Sequence, residues 1–266
     1  MESERRHSLL CAWLPWVFPG LLLLLWVMVS ETGLVPEYLL PSPTAIGRAG
    51  YHYIFGRIGD APYAGRFLKD LSASMFRVGC GFCCAVAIGL PLGIISGRVT
   101  AVRLLMGNSV NALRAVPGIS LLPLAMVWFG IGIKTTVFLV AMAAFFPIYL
   151  NTAAGARQVD PLLLQAGAML GVGRWRSAFG ILIPAAMSHI ITGLRLGLGI
   201  AWAYLVLGEL SGVPDGLGAI IMDARMLGRT DIIIVGIIII AVVGRATDRT
   251  LCSCLRLCFR SAHRMA

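Results

Sequence analysis

The chain has 266 residues, of which 58% are hydrophobic and 13% charged. Soluble domains carry about 25% charged residues, so a soluble enzyme is excluded and an integral membrane protein remains. The formal charge of +10 suits basic residues flanking membrane spans, and no basic run with interleaved aromatics points to nucleic acid as a partner.

Residues 1–10 are polar, with Arg5 and Arg6. Cys11 to Ser30 carries no charge and is long enough to cross about 30 Å of hydrocarbon. It lacks the short apolar core and small-residue cleavage site of a signal peptide, so it reads as a retained first span. Residues 31–70 form a mixed segment, expected to be an external helical element. Within it Ser42 is a cap candidate and Pro43 fits the first helical position.

A core of five further spans is expected over residues 71–249. The second span runs from Leu71 to Ser96, with Arg77 near its start and able to snorkel outward. The third runs from about Leu104 to Gly130 and is broken by Pro117, Gly118 and Pro123, which kink a helix or force it to unwind. The fourth runs from about Thr135 to Ala154. A loop at 155–180 interrupts the apolar pattern. The fifth span is Ile181 to Leu210. Gly193, Gly197 and Ala201 recur there every four residues and let another helix come close. Ser211 to Thr230 reads as an external loop rich in glycine and acid. Asp231 to Val243 begins the sixth span, and residues 250–266 read as a basic tail. Cys80, Cys83 and Cys84 fall within a span as small packing residues. Cys252, Cys254 and Cys258 lie in the tail without histidine at ligand spacing, so no metal site is expected.

The interrupting loop is the most informative stretch. Asp160 is an N-cap candidate, and Pro161 suits the first helical position. Leu162 to Leu170 favours a helix of about ten residues, roughly 15 Å long. Gly171 and Gly173 suit a left-handed cap at its end. Arg174, Trp175 and Arg176 follow, two cations around an amphipathic ring, as expected at a headgroup boundary.

Six spans put both termini on one side. That side then holds Arg5, Arg6, Arg98, Arg103, Arg157, Arg174, Arg176, Arg249, Arg256, Arg260 and Arg264. The other side holds Arg48, Arg57, Arg66, Lys69, Lys134, Arg225 and Arg229. The bias favours cytoplasmic termini and a cytoplasmic loop at 155–180.

The loop also resembles a known pattern. Gln165-Ala166-Gly167, three residues, Gly171, nine residues, Ile181, one residue, Ile183-Pro184 is similar to the EAA loop of ABC-importer permeases, Glu-Ala-Ala-x3-Gly-x9-Ile-x-Leu-Pro. Gln165, Gly167 and Ile183 depart from it, and the glutamine removes the charge of the family's glutamate. The likeness covers roughly residues 33–250. Leu113-Arg114-Ala115-Val116-Pro117, Leu122-Pro123-Leu124, Trp128-Phe129-Gly130 and Phe146-Pro147-Ile148-Tyr149-Leu150-Asn151-Thr152 resemble the nitrate/sulfonate/taurine branch, as do Gly193-Leu194-Arg195 and Gly208-Glu209. Within the branch the likeness is greatest to aliphatic sulfonate permeases.

This resemblance implies an all-α, six-span type I importer permease with a cytoplasmic coupling helix, in a bacterial inner membrane. It implies an ABC ATPase dimer, an external solute-binding protein and a second permease subunit, a homodimer by family analogy, as partners. Asp160, Gln165, Ala166, Gly167, Gly171, Arg174 and Pro184 would then couple to the ATPase. The chain's two lysines, Lys69 and Lys134, do not follow a glycine, so it has no P-loop, ATP would be hydrolysed on a separate subunit, and no cofactor is expected.

Charges within spans are expensive and face protein or water. Arg114, Arg195 and Glu209 are therefore candidates for a translocation path, with the neutral polar Asn151 beside them. A guanidinium suits a sulfonate or nitrate through paired N–H donors, although a structural ion pair or a snorkelling arginine is the alternative. His189 reads as a packing residue. The cargo could equally be nitrate, bicarbonate or a pyrimidine precursor. Other classes that remain are a secondary transporter without an ATPase and a membrane scaffold.

Overall fold

The computed structural model describes residues 2–33, 35–57, 59 and 62–258. The last part of the expected basic tail, 259–266, lies outside the described residues. Among the described residues all regular structure is helical. In chain order the helices are α1 (Glu2–Glu31), α2 (Pro43–Phe55), α3 (Phe67–Arg98), α4 (Thr100–Ala115), α5 (Leu122–Phe129), α6 (Ile133–Gln158), α7 (Pro161–Met169), α8 (Arg174–Ser177), α9 (Ile183–Glu209), α10 (Leu217–Met226) and α11 (Thr230–Cys258). A 3₁₀ turn, Gly118–Leu121, precedes α5, and a π-helical turn, Ala178–Leu182, joins α8 to α9.

Among the described residues four stretches are long and apolar enough to cross a membrane: α3, α6, the continuous Arg174–Glu209 run, and Thr230–Leu255 of α11. The expected first span lies inside α1, where Val17–Glu31 forms an apolar stretch. The third departs from a straight rod. Helix α4 and the Gly118–Phe129 helix pass the same test only as a pair, bent by 87°. The break falls at Pro117-Gly118, as the sequence suggests, but Pro123 breaks nothing: it sits in the first turn of α5, where its missing N–H costs nothing.

Three other boundaries are corrected. The helix that carries the fifth span begins at Arg174, ahead of the expected Ile181, because the π-helical turn carries α8 directly into α9. The expected loop at 211–230 holds α10. There Leu217, Ile220 and Ile221 keep a helical apolar spacing between flanking glycines and acids, and Leu217 and Ile220 are fully buried. Residues 250–258 continue α11 and are not a separate tail.

The chain divides into two compact units. The smaller comprises residues 1–67 and 223–236. In it Ser42 caps α2, accepting a hydrogen bond from the Ala45 N–H at 3.2 Å, with Pro43 in the first turn. Tyr53 is fully buried, and its ring meets Phe67 edge-on at 5.9 Å.

The larger unit, residues 68–222 and 237–266, is built around α6. Lipid tails are as apolar as leucine, so helices in a bilayer associate through close backbone approach more than through hydrophobic burial. Helix α6 is approached in this way from two sides. On α3, a Cβ added at Gly81 would lie 2.6 Å from Val140, and one at Gly93 would lie 2.7 Å from Thr152. On α9, one at Gly193 would lie 2.9 Å from Asn151 and one at Gly197 2.9 Å from Ile148. The Gly193, Gly197, Ala201 face anticipated from the sequence is thus the α9 contact. Rising numbers on α3 pair with rising numbers on α6, so these two run parallel, and α9 runs antiparallel to α6. His189 packs on Gly155 and shares a 2.8 Å hydrogen bond with Gln158.

Arg77 does not snorkel outward. It is 3% exposed, and its Nη1 donates to Glu209 Oε1 at 2.8 Å and to the Asp215 carbonyl at 2.7 Å. Its Nη2 donates to the Asp215 carboxylate. Ser74 Oγ donates to the Glu209 carboxylate at 2.8 Å, as does the Gly218 N–H at 2.8 Å. Asp70 accepts from the Gly216 N–H at 3.1 Å. Asp70, Ser74 and Arg77 form one polar stripe on α3, and the carboxylate facing it on α9 turns the arginine inward.

Candidate functional site

The Val159–Pro184 segment folds as a short helix closed at both ends. Asp160 Oδ1 accepts from the Leu162 N–H at 2.8 Å, and Pro161 occupies the first turn. At the far end Gly171 has φ +74°. Its N–H bonds to the Ala168 carbonyl at 3.0 Å, and the Val172 N–H to the Gly167 carbonyl at 3.0 Å. This paired closure requires a left-handed residue, which glycine adopts without steric cost. Gly173 has φ −62° and serves as N-cap of α8, so only Gly171 fills the expected left-handed role. From the end of α3, Arg98 donates to the Ala156 and Val159 carbonyls at 3.4 and 3.3 Å, holding the chain where α6 hands over to α7.

One face of the segment is bound to the bundle and the other is open. Gly167 is buried, and a Cβ there would come within 2.6 Å of Ile181 Cδ1. Glycine at this position, where the resembling pattern has alanine, therefore lets α7 sit close to the π-helical turn. Gln165, Ala166 and Arg174 are exposed, and Pro184 is half-buried at the start of α9. Around them Leu162, Leu163, Met169, Leu170, Trp175 and Phe179 are all exposed, with Leu170 at 83% and Trp175 at 81%. The Trp175 and Phe179 rings stack at 6.4 Å.

The four path candidates do not converge. Arg114 and Asn151 line one cleft of about 360 Å³, together with Gly118, Phe146, Pro147 and Tyr204. The bend after α4 creates this cleft: Gly118 lies against Tyr204 so closely that a Cβ would fall 2.2 Å from its hydroxyl. Asn151 Nδ2 donates to the Pro147 carbonyl at 2.8 Å, which leaves its amide oxygen available. Arg195 is not among the residues that line this cleft. It makes a two-point pair with Asp248, Nε to Oδ1 at 3.0 Å and Nη2 to Oδ2 at 3.2 Å, and is about half exposed. Glu209 is fully buried in the Arg77 cluster.

The buried cluster was not anticipated as a unit. Its signal, acid, serine and arginine at positions 70, 74 and 77, is a helical spacing visible in the sequence. Of the tail cysteines, Cys252 is half-buried and Cys254 exposed, and among the described residues no group of His, Cys, Asp and Glu could hold a metal ion.

The family model described as "binding-protein-dependent transport system inner membrane component" matches residues 89–249. The chain is 35% identical, over 87% of its length and 81% of the relative's, to a Bacillus subtilis (strain 168) permease protein assigned to aliphatic sulfonates transport. It is 31% identical to the taurine transport system permease protein of Escherichia coli (strain K12), covering 84% of this chain and 80% of that one. It is 31% identical to the nitrate import permease protein of Synechocystis sp., covering 79% and 77%. Among solved structures, an inward-facing form of the MetNI methionine ABC transporter matches with TM-score 0.57 at 18% identity, over 70% of this chain and 94% of that chain.

Proposed function

We infer that this chain, which belongs to the family of binding-protein-dependent transport system inner membrane components, is the membrane-spanning subunit of an ATP-driven importer for a small anionic solute, an aliphatic sulfonate or taurine in the first instance. The observation that carries the reading is the α7 segment. It is a helix capped at both ends, anchored on one side and presenting Leu162, Leu163, Met169, Leu170, Trp175 and Phe179 on the other. Six large exposed apolar side chains on so short a connection fit a protein contact. The partner on this face is a cytoplasmic ABC ATPase, with Asp160, Gly167, Gly171 and Pro184 holding the helix and Gln165, Ala166 and Arg174 facing the partner. Both termini and α7 are cytoplasmic, ATP is hydrolysed on the partner, a second copy of this chain completes the permease, and an external binding protein delivers the solute.

The related transporters named for sulfonates, taurine and nitrate support an anion as cargo. Within the path the reading assigns Arg114 and Asn151 to the solute. Arg195 and Glu209 serve as structural ion-pair members. A guanidinium and a free amide oxygen suit a sulfonate that also carries an amino group, as taurine does.

The deciding experiment is co-purification of the chain with a candidate ATPase, with and without Gly171→Asp. The native chain should retain the ATPase. The variant should lose it, or should hydrolyse ATP without moving solute. A native chain that associates with no ATPase would overturn the reading in favour of an ATPase-independent transporter.

A further inference from the structure

A second polar cleft lies beside the Arg114 cleft and belongs to none of the roles above. It holds about 320 Å³ and is lined by Arg103 and Asn111 of α4, Tyr149 and Arg157 of α6, and Ser96 near the end of α3. Leu150 lines both clefts, so they adjoin. Arg103 and Arg114 are eleven residues apart on α4, within about 20° of the same face and about 16 Å apart along the axis. On α6, Leu150 and Arg157 are seven residues apart and likewise share a face. The basic groups therefore form a track along the α4–α6 seam.

Three features give this second cleft the chemistry of an anion site. Two arginines meet at it, and among the described residues no carboxylate lies within ion-pairing distance of Arg103, Arg157 or Arg114. Arg77 on α3 and Arg195 on α9, by contrast, each pair with an acid. The hydroxyls of Ser96 and Tyr149 are 2.7 Å apart, with the two residues 2% and 3% exposed. One donates to the other, so the acceptor's own O–H proton remains to be given. The amide of Asn111 adds two further N–H donors. A buried hydroxyl proton without an acceptor, beside two uncompensated guanidinium groups, is a donor-rich surface that an oxyanion satisfies.

We propose that the Arg103–Arg157 cleft is a second anion site, taking a small tetrahedral oxyanion such as an alkylsulfonate or inorganic phosphate. It rests on the orientation proposed above, which puts this end of the seam at the cytoplasmic face. Cargo released from Arg114 then meets Arg103 and Arg157 next on its way out. An inorganic anion of the cytoplasm competes for the same donors. Both sources share one chemistry, and two binding steps of moderate strength let an ion leave more readily than one strong site would.

The test uses the purified full-length chain in neutral detergent and reads its melting temperature against added methanesulfonate or phosphate at constant ionic strength. Binding to the native state stabilises it by RT ln(1 + L/Kd), with L the free anion concentration, and raises the melting temperature accordingly. The native chain should be stabilised. In Arg103→Gln/Arg157→Gln the Kd fitted to this dependence should rise about tenfold or more, the loss expected when paired charge-assisted hydrogen bonds are removed. Arg103→Lys/Arg157→Lys, which keeps both charges, should fall between and controls for folding. Stabilisation by methanesulfonate assigns the site to cargo, and by phosphate alone to a cytoplasmic anion. Equal stabilisation of the native and Gln forms, or none in the native chain, overturns the site. Uptake into phosphatidylcholine vesicles that also hold the ATPase, ATP and the external binding protein separates the two readings: a chain that binds both anions through Arg103 and Arg157 yet imports none in that assembly keeps this site and loses the importer function.

Discussion

Arg77 and Glu209 face one another at 2.8 Å with side chains 3% and 0% exposed, on two helices that both flank α6. Two charges so far from water are tolerated because Ser74 and Gly218 donate to the Glu209 carboxylate and Asp215 accepts from both Arg77 Nη groups, although the buried Arg77 Nε–H has no partner among the described residues. Removing one partner leaves the other uncompensated, at a cost of about 3–5 kcal/mol. Arg77→Met and Glu209→Met should therefore each lower the melting temperature sharply. The double variant Arg77→Met/Glu209→Met should recover part of the loss. A double-mutant cycle in detergent measures this, and strictly additive losses would show that the pair is not coupled.

Gly171→Ala places a side chain at φ +74°, which costs about 1–2 kcal/mol for a residue with a Cβ. Asp160→Ala removes the other cap, at about 1 kcal/mol. Both should loosen α7 while leaving the membrane bundle intact. The expected signature is faster proteolysis between residues 159 and 184 and weaker ATPase retention, with an unchanged melting temperature for the bundle.

Arg114→Gln should reduce anion uptake about tenfold, in keeping with the loss of one charge-assisted contact. Arg195→Gln should leave uptake within about twofold, because a half-exposed pair with Asp248 is largely screened. Initial-rate uptake into vesicles distinguishes them. Equal loss in both variants would return Arg195 to the path.

Gly118→Ala should distort the elbow after α4, since the added Cβ meets Tyr204 at 2.2 Å. Tyr204→Ala in the same chain should restore much of the lost stability, as the crowded ring is then gone. The comparison is made on melting temperature together with uptake. A failure of rescue would place the strain in the backbone.

Much of the architecture was legible because a bilayer demands signals that survive in one dimension. Cys11–Ser30 and Thr135–Ala154 carry no charge, Leu71–Ser96 carries only Arg77, and each lies in a helix. Ser42, Asp160 and Gly171 announce their caps through local chemistry alone. Residues 211–230 misled because glycines and acids at both ends hid the apolar spacing of α10. The start of the fifth span's helix was placed late because a π-helical turn has no strong residue signature.

The candidate path shows where reading along the chain stops. Arg77, Arg114, Arg195 and Glu209 look alike as charges in apolar sequence. Only the folded chain separates them, by setting Glu209 before Arg77, Asp248 before Arg195, and open space before Arg114. Arg103 and Arg157 carry no signal beyond that of boundary cations, yet the fold brings them to one cleft. Span lengths, caps and the Gln165–Pro184 pattern depend on neighbours within a few turns, so the amino-acid order alone determines them. The partner of a buried charge depends on which helix lies opposite. The close approach at Gly81, Gly93, Gly193 and Gly197 sets that arrangement, and it exists only once the helices have packed.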